Sequence, residues 1–522
     1  MIRTCVAVVA VAVMVGALTA AAGADGLTPK EQLGKALFFD KLSDPNGMSC
    51  AACHDPKVGF TGPEAGTNLH GAVYKGAIPR RTGNRKPPSA AYATTAPVFH
   101  FDEGEGLFIG GNFWDGRATG EALGNPAADQ ALGPFLNPVE QNNPSKMAVL
   151  EKVAASSYAD LWEAVWGEPV GYDTSTEVDL NYDRIGLSIA AFEASSEVNQ
   201  FSSKFDAFWR NAEALGMDVD DIDMSNWGSY ADLGLDMDEL EGLALFNDEE
   251  EGKCSLCHVL EPYTVDGLVM PPLFTDYSFD NLGVPRNPMN PFYGMDEVYI
   301  GGQPINPLGE DWVDLGLGGF LENHPDAAWA AMAEENYGKQ KVPTLRNVDK
   351  RPGSGFKKAY MHNGVFKSLK EVVHFYNTRD IEEWPPPEVA ENVNTDELGD
   401  LGLTDREEDL IVVFMQTLSD GYRMKMEKDE MAASADRPTL RMSGPSDFQN
   451  SARISYYLPR AGTVSLQAFN VAGKRVATVV DGWKEAGEHR ATFVARDLPS
   501  GVYFLRLTDG VETRAFKTII VK

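Results

Sequence analysis

Three textures of apolar and polar residues follow one another along the chain. The first is short: Met1-Ile2-Arg3, an apolar run from about Val6 to Leu18, then Ala22-Gly23-Ala24 before Asp25. A basic start, an apolar stretch too short for a bilayer and a small-residue cleavage site predict an export signal over residues 1–24 rather than a membrane span. Cys5 heads that run and does not follow a Leu-Ala-Gly-type box, so it is not read as a lipid anchor. In the second texture, apolar positions recur at helical spacing between irregular stretches. Val178–Ala212 is periodic and predicts helix, Glu239–Phe246 predicts a short helix, and the Gly- and Pro-rich stretch Gly59–Pro88 predicts loop. Ser368-Leu369-Lys370-Glu371 is a capping box, so a helix begins there. Leu369, Val372, Val373 and Tyr376 then share one apolar face, with His374 nearly opposite and toward water.

The third texture has period two. Ile454–Leu458, Val464–Phe469 and Val502–Leu507 alternate, and Ala472-Gly473, Asp481-Gly482 and Asp509-Gly510 read as turns between strands. The expected fold is therefore mainly α, two modules over residues 25–225 and 226–425. A charged, Met-rich connector over 426–445 and a small all-β Ig-like sandwich over 446–522 follow. At 522 residues the chain has room for these domains. Its net charge of −32 disfavours nucleic acid, whose phosphates would be repelled, and suits a basic redox partner or plain solubility. The acidic stretches Asp218–Asp223 and Glu249–Glu251 read as solvated loops.

Chemistry enters with the cysteines. Apart from Cys5, all of them fall in two copies of Cys-x-x-Cys-His: Cys50, Cys53 and His54, then Cys254, Cys257 and His258. That spacing lets two thiols form thioethers to one haem while the adjoining His becomes the proximal iron ligand. A disulfide framework does not fit this distribution, and a four-Cys zinc site leaves both His residues unexplained. Two covalently bound c-type haems are expected, one in each α module, which suits an exported protein.

Ordered words across about Leu33 to Gly421 resemble the bacterial dihaem cytochrome c peroxidases of the superfamily that contains MauG. They include Leu33-Gly34-Lys35, Phe113-Trp114-Asp115-Gly116-Arg117, Asn137-Pro138-Val139-Glu140, Val342–Val348 and Met361-His362-Asn363-Gly364. The resemblance implies an oxidoreductase that reduces hydrogen peroxide at the first haem. Electrons would come from a small donor protein, a c-type cytochrome or a cupredoxin, through the second haem. It makes Glu140 the acid–base, with Gln130 and Pro134 lining the same pocket; the competing role for Glu140 is to cap a local turn. The interval between Trp114 and this segment is longer than in the usual pattern. Trp114 matches the indole between the haems, an electron relay or else only a core residue, and Arg117 is expected on a haem propionate. Counting fourteen residues from His362 reaches Tyr376, the position of the second haem's distal ligand, which is Met in typical peroxidases and Tyr in MauG. The competing reading is that Tyr376 only packs, with Met361 or nothing ligating. His70 lies in the loop where many members place a closing His, at a spacing that does not match, and His100, His324 and His489 read as structural.

The resemblance also implies a calcium ion between the modules, held by an Asn side chain and carbonyls. Here Lys86 stands at the Asn position, with Asn84 two residues earlier, and Lys350–Lys358 is lengthened where the carbonyls should come; both depart from the pattern. The alternatives to a peroxidase are a MauG-like oxidase acting on a protein or organic substrate and a non-catalytic dihaem electron carrier. The C-terminal module resembles the sorting domain of the type IX (Por) secretion route and the FlgD Ig-like domain. The words are Ile454-Ser455-Tyr456, Val471–Lys474, Leu498–Tyr503 and Ile519–Lys522. This implies a periplasmic, surface or extracellular location and attachment to the cell surface.

Overall fold

The computed structural model describes residues 26–265, 268–422 and, in the C-terminal part, 439–443, 447–448, 451–470, 474–496, 498–509 and 513–520. The export signal, most of the connector and the Ala472-Gly473 turn lie outside them. The chain forms two compact units, Met1–Tyr422 and Arg423–Lys522.

The first unit holds two hydrophobic cores, each built around one Cys-x-x-Cys-His turn. In the first core α1 (Pro29–Phe39) crosses α3 (Ser175–Glu193), with α2 (Pro126–Leu136) packed on α3. Leu33, Leu37, Phe38, Phe135, Trp162, Tyr182, Ile185, Ile189 and Phe192 fill it. The crossing is close because position 34 has no side chain: a Cβ there would lie 1.8 Å from the Ser188 carbonyl oxygen. In the second core α5 (Met237–Asn247) crosses α7 (Asp405–Gln416) in the same way. A Cβ at Gly242 would lie 2.1 Å from the Leu410 carbonyl oxygen. Each module thus brings its entry helix against a later helix through one glycine, at the packing distance only that residue allows.

The structure adds detail to two readings of this unit. Val178–Ala212 is not one helix: α3 ends at Glu193 and α4 (Lys204–Ala214) begins afresh with a Ser203/Asp206 capping box. The boundary near 225 also moves, because Phe205, Phe208, Trp209 and Ala212 of α4 are buried in the second core. That apolar face, repeating at i, i+3, i+4 and i+7, belongs with α5 and α7, so the division between cores falls between Phe201 and Phe205. The helix that starts at the Ser368 cap, α6 (Leu369–Thr378), forms with the anticipated box. Its Leu369, Val372, Val373 and Tyr376 all pack on the second core. His374 sits on the outer side, bonded through Nδ1 to Glu408 at 2.9 Å. No helix among the described residues is long and apolar enough to cross a membrane.

The second unit is a two-sheet β structure. Its strands are β1 (Thr439–Ser443), β2 (Asp447–Phe448), β3 (Ser451–Leu458), β4 (Gly462–Asn470), β5 (Arg475–Lys484), β6 (Gly487–Val494), β7 (Gly501–Thr508) and β8 (Thr513–Ile520). One sheet runs β2-β8-β7-β4-β5 and the other β6-β3-β1. Ile454, Tyr456, Leu458, Val464, Leu466, Ala468, Leu505 and Leu507 form the core, the alternate positions of their strands. β1 falls inside the stretch read as connector, where it pairs with β3. Asp481-Gly482 is not a turn: β5 runs through it, Asp481 opposite Ser465 and Gly482 opposite Val464, and a register shift between Leu466 and Gln467 absorbs the irregularity.

Candidate active site

Each Cys-x-x-Cys-His segment winds into a single 3-10 turn, Cys50–Ala52 and Cys254–Leu256, which directs both thiols and the next imidazole into one cavity. The two histidines are held by the same device. His54 Nδ1 lies 3.1 Å from the Phe60 carbonyl oxygen and His258 Nδ1 lies 2.9 Å from that of Phe274. Both phenylalanines take left-handed backbone angles, φ 55° and 56°, which turn their carbonyls toward the rings. Burial lowers both imidazole pKa values. A neutral ring that faces a carbonyl through Nδ1 donates there and leaves the Nε2 lone pair free for a metal. Burial also pushes the thiols of Cys50, Cys53 and Cys254 up to about 12. A redox-active dithiol needs the opposite shift. Among the described residues no cluster of three or more His, Cys, Asp or Glu is arranged to hold a bare metal ion. An apolar cavity, two unpaired thiols and a preset imidazole fit a covalently attached haem, twice over.

The first cavity is lined by Gln130, Pro134 and Glu140. Gln130 and Pro134 reach it from α2, and Asn137 and Glu140 from the turn that follows. Asn125 opens α2 by accepting the backbone N–H groups of Ala127 and Ala128, and Asn137 closes it. Glu140 is therefore placed one turn past a capped helix end. Asn137 Nδ2 donates to Glu140 Oε2 at 2.8 Å, and Ala77 N–H donates to the Glu140 carbonyl at 2.6 Å. Burial raises the Glu140 carboxyl above its ordinary pKa, against the opposing pull of Arg117 and Asn137. Arg117 lines the same cavity, 3.9 Å over the Phe113 ring, with Asp115 at 2.7 Å and its side chain 44% exposed.

The second cavity is more apolar. Tyr376, Met361 and His362 line it beside Cys254, Cys257 and His258. Burial raises the Tyr376 phenol. His362 keeps to the wall, its Nε2 3.5 Å from Glu388, its ring edge-on to Trp114 at 6.4 Å.

Trp114, Lys341, Val342 and Pro343 line both cavities. Trp114 is 8% exposed, donates from Nε1 to the Lys86 carbonyl at 2.9 Å and accepts Lys341 N–H on its own carbonyl at 2.8 Å. Next to it Arg85 clamps Asp115 at 2.5 Å and Asp314 at 2.6 Å, all three largely buried. This triad ties the Trp114 loop to the second half of the chain.

Several groups were not legible beforehand. Glu193, at the C-terminal end of α3, lines the first cavity, and burial pushes its carboxyl up to about 8. Its helix reads as plain core. Lys341 and Lys86 also reach the cavities, pushed down to about 7 and about 8 by burial. His70 lines neither cavity; its ring bonds the Gly66 carbonyl at 2.7 Å in an exposed loop. His324 packs tilted against Trp329, and His489 stacks on Tyr456.

The family model described as di-haem cytochrome c peroxidase matches residues 28–214. The methylamine utilization protein MauG of Paracoccus denitrificans is 31% identical over 419 residues, 77% of this chain and 92% of that protein. Cytochrome-c peroxidase IdrP2 of Denitromonas iodatirespirans is 24% identical over 392 residues, 74% of this chain and 81% of its own length. Among solved structures, the diheme peroxidase BthA of Burkholderia thailandensis superposes with a TM-score of 0.55 at 27% identity, over 75% of this chain and 86% of that one. With two Cys-x-x-Cys-His turns and a cavity-lining carboxyl assembled in one unit, and a relative of this identity and coverage, the chain belongs to the di-haem cytochrome c peroxidase family that includes MauG.

Proposed function

We propose that the protein is an exported dihaem peroxidase that reduces hydrogen peroxide to water in the first cavity, with Glu140 as its acid–base. The observation that carries this reading is the half-buried carboxyl of Glu140, raised in pKa and fixed by Asn137, in the cavity that also holds Cys50, Cys53 and His54. When bound there, the haem supplies the iron at which the O–O bond of peroxide is cleaved and electrons are received. Glu140 would take a proton from one oxygen of the peroxide and return it to the other. Gln130 offers a side-chain amide to orient the peroxide, and Pro134, without an N–H, keeps that wall from competing. The balance is one peroxide, two protons and two electrons in, two waters out. Cys254, Cys257 and His258 would hold the second haem, and Trp114 in the shared wall would pass electrons between the two.

A second reading is favoured by Tyr376 in the second cavity. Burial favours the neutral phenol in the protein alone, but were Tyr376 to ligate a haem iron bound there, a phenolate would stabilise oxidised states relative to a thioether. This would suit a MauG-like oxidase that withdraws electrons from a protein or organic substrate. A small c-type cytochrome or cupredoxin is the donor proposed for the peroxidase branch, consistent with a chain of net charge −32 that would attract a basic partner. The C-terminal β unit is proposed to sort the protein to the cell surface.

The test is EPR and optical spectroscopy of the ferric holoprotein, with and without stoichiometric peroxide. One high-spin and one low-spin haem, with turnover of a reduced donor by peroxide, is the expected result. A long-lived two-electron-oxidised protein that spares the donor selects the oxidase. Two low-spin haems inert to peroxide, even after half-reduction, leave an electron carrier.

A further inference from the structure

The family's bridging calcium does not fit this chain. Calcium takes six to eight oxygen ligands. At the wall beside Trp114, oxygens that could serve are already turned toward an amine: Lys86 Nζ lies 3.3 Å from the Pro87 carbonyl and 3.4 Å from Thr61 Oγ1. Lys358, 5% exposed, donates its Nζ to the Asn347 carbonyl at 2.7 Å. Burial, with the charge of Lys86 adding to it, pushes Lys358 well below the ordinary lysine range. Residues from both halves of the chain converge here: Lys86 N–H donates to the His362 carbonyl at 2.8 Å. A divalent ion placed among them would face one or two ammonium groups across a few ångströms of low-dielectric interior.

We propose that the side-chain amine of Lys86 takes the place of a bridging metal ion and is the positioning cation of the Trp114 wall. Lys86 acts on that indole twice. Its carbonyl receives the Trp114 Nε1–H at 2.9 Å, which fixes the ring plane, and its Nζ lies 5.9 Å from the ring centroid. A cation over the face of an indole disfavours loss of an electron from the ring and stabilises reduced states of nearby redox centres. The protein therefore carries its own fixed charge at the seam and needs no divalent ion to set it. This rests on the reading of Trp114 as a relay only in its electronic part; the metal content does not depend on it.

The experiment uses the full-length holoprotein. After dialysis against calcium and then buffer, elemental analysis is expected to find no stoichiometric calcium, and a chelator is expected to leave the melting temperature and ferric EPR spectrum unchanged. One calcium per chain whose removal lowers the melting temperature would overturn the proposal. Lys86→Met, similar in length but uncharged, is expected to shift the first haem's midpoint potential negative, and Lys86→Arg to restore it. An unchanged potential in Lys86→Met would also overturn it. Should Lys86→Met fail to fold, the metal analysis of the unaltered protein still decides. Neither readout requires peroxide turnover, so failure here and failure of the peroxidase reading are separable.

Discussion

Replacing Glu140 with Gln isolates the proton-transfer step, because the amide keeps the shape of the carboxyl and can still accept the 2.8 Å bond from Asn137 Nδ2. The backbone hold through Ala77 N–H is untouched. What is lost is a group that can take a proton and return it. General acid–base contributions of this kind run to ~10²–10⁴-fold in rate, about 3–5 kcal/mol of barrier. The expected result is a fall of that size in kcat/KM for peroxide, with the resting optical and EPR spectra unchanged. The pH profile carries the same signature. Glu140 must be ionised to accept the first proton, and burial has raised its pKa. The acid limb should therefore lie above the ordinary Glu value of about 4.3, with activity lost as pH falls through it, and should vanish in Glu140→Gln. Peroxide-dependent oxidation of a reduced donor under pseudo-first-order conditions measures both. A variant within about threefold of the parent, with its acid limb intact, would refute the assignment and shift the role to another carboxyl of the cavity, Glu193 first.

Four further outcomes follow from the same geometry. Trp114→Phe should leave the spectra of both haems nearly unchanged yet slow electron transfer between them, read by rapid mixing of the half-reduced protein with peroxide; equal rates would remove the relay role. Tyr376→Met should raise the second haem's midpoint potential in a potentiometric titration, because a thioether favours the ferrous state more than a phenolate does; an unchanged potential would mean that Tyr376 only packs. Glu193, held near 8 against an unperturbed value near 4.5, binds a proton in the folded state that the unfolded state has released, so stability should decline as pH rises from about 4.5 to about 8. Glu193→Gln should flatten that slope in melts of the holoprotein across the range, and a parallel slope would refute the shift. Gly34→Ala would put a methyl 1.8 Å from the Ser188 carbonyl oxygen and should cost roughly 1–3 kcal/mol by forcing α1 and α3 apart, visible as a lower melting temperature.

Much of the fold was legible because its signals are local. The Ser368 capping box and the stripe of Leu369, Val372, Val373 and Tyr376 specify α6 without reference to anything distant. The strands around Ile454, Leu466 and Leu505 bury alternate residues as period two requires. The errors arose where long-range packing overrides local pattern. Val178–Ala212 looks continuous, yet Ser203 caps a new helix whose Phe205 and Phe208 belong to the other core. Asp481-Gly482 has turn chemistry, but pairing with β4 holds it in a strand. In the site, Cys50, His54, Cys254, His258, Glu140 and Trp114 could be found from spacing and family words. Glu193, Lys86 and Lys341 could not, since a charged residue in a helix or loop says nothing of burial until partners from elsewhere close over it.

The two cavities share their scaffolding and differ only where chemistry would demand it. Both use a glycine-mediated helix crossing, a 3-10 turn of thiols, and a phenylalanine carbonyl that presets the imidazole. If both were conduits, the distal walls would have no reason to diverge. Instead one side presents Gln130, Glu140 and Glu193, two of them carboxyls raised by burial, and the other presents Tyr376 and Met361 among apolar residues. A carboxyl held away from water costs stability unless it is used or paired, and Glu140 takes a hydrogen bond from the neutral amide of Asn137, with the charge of Arg117 only partly offsetting burial. On the proposed reading, a wall that accepts that cost moves protons, whereas a wall lined by Tyr376 and Met361 among apolar residues would hold or pass electrons, and Trp114 stands where the two meet.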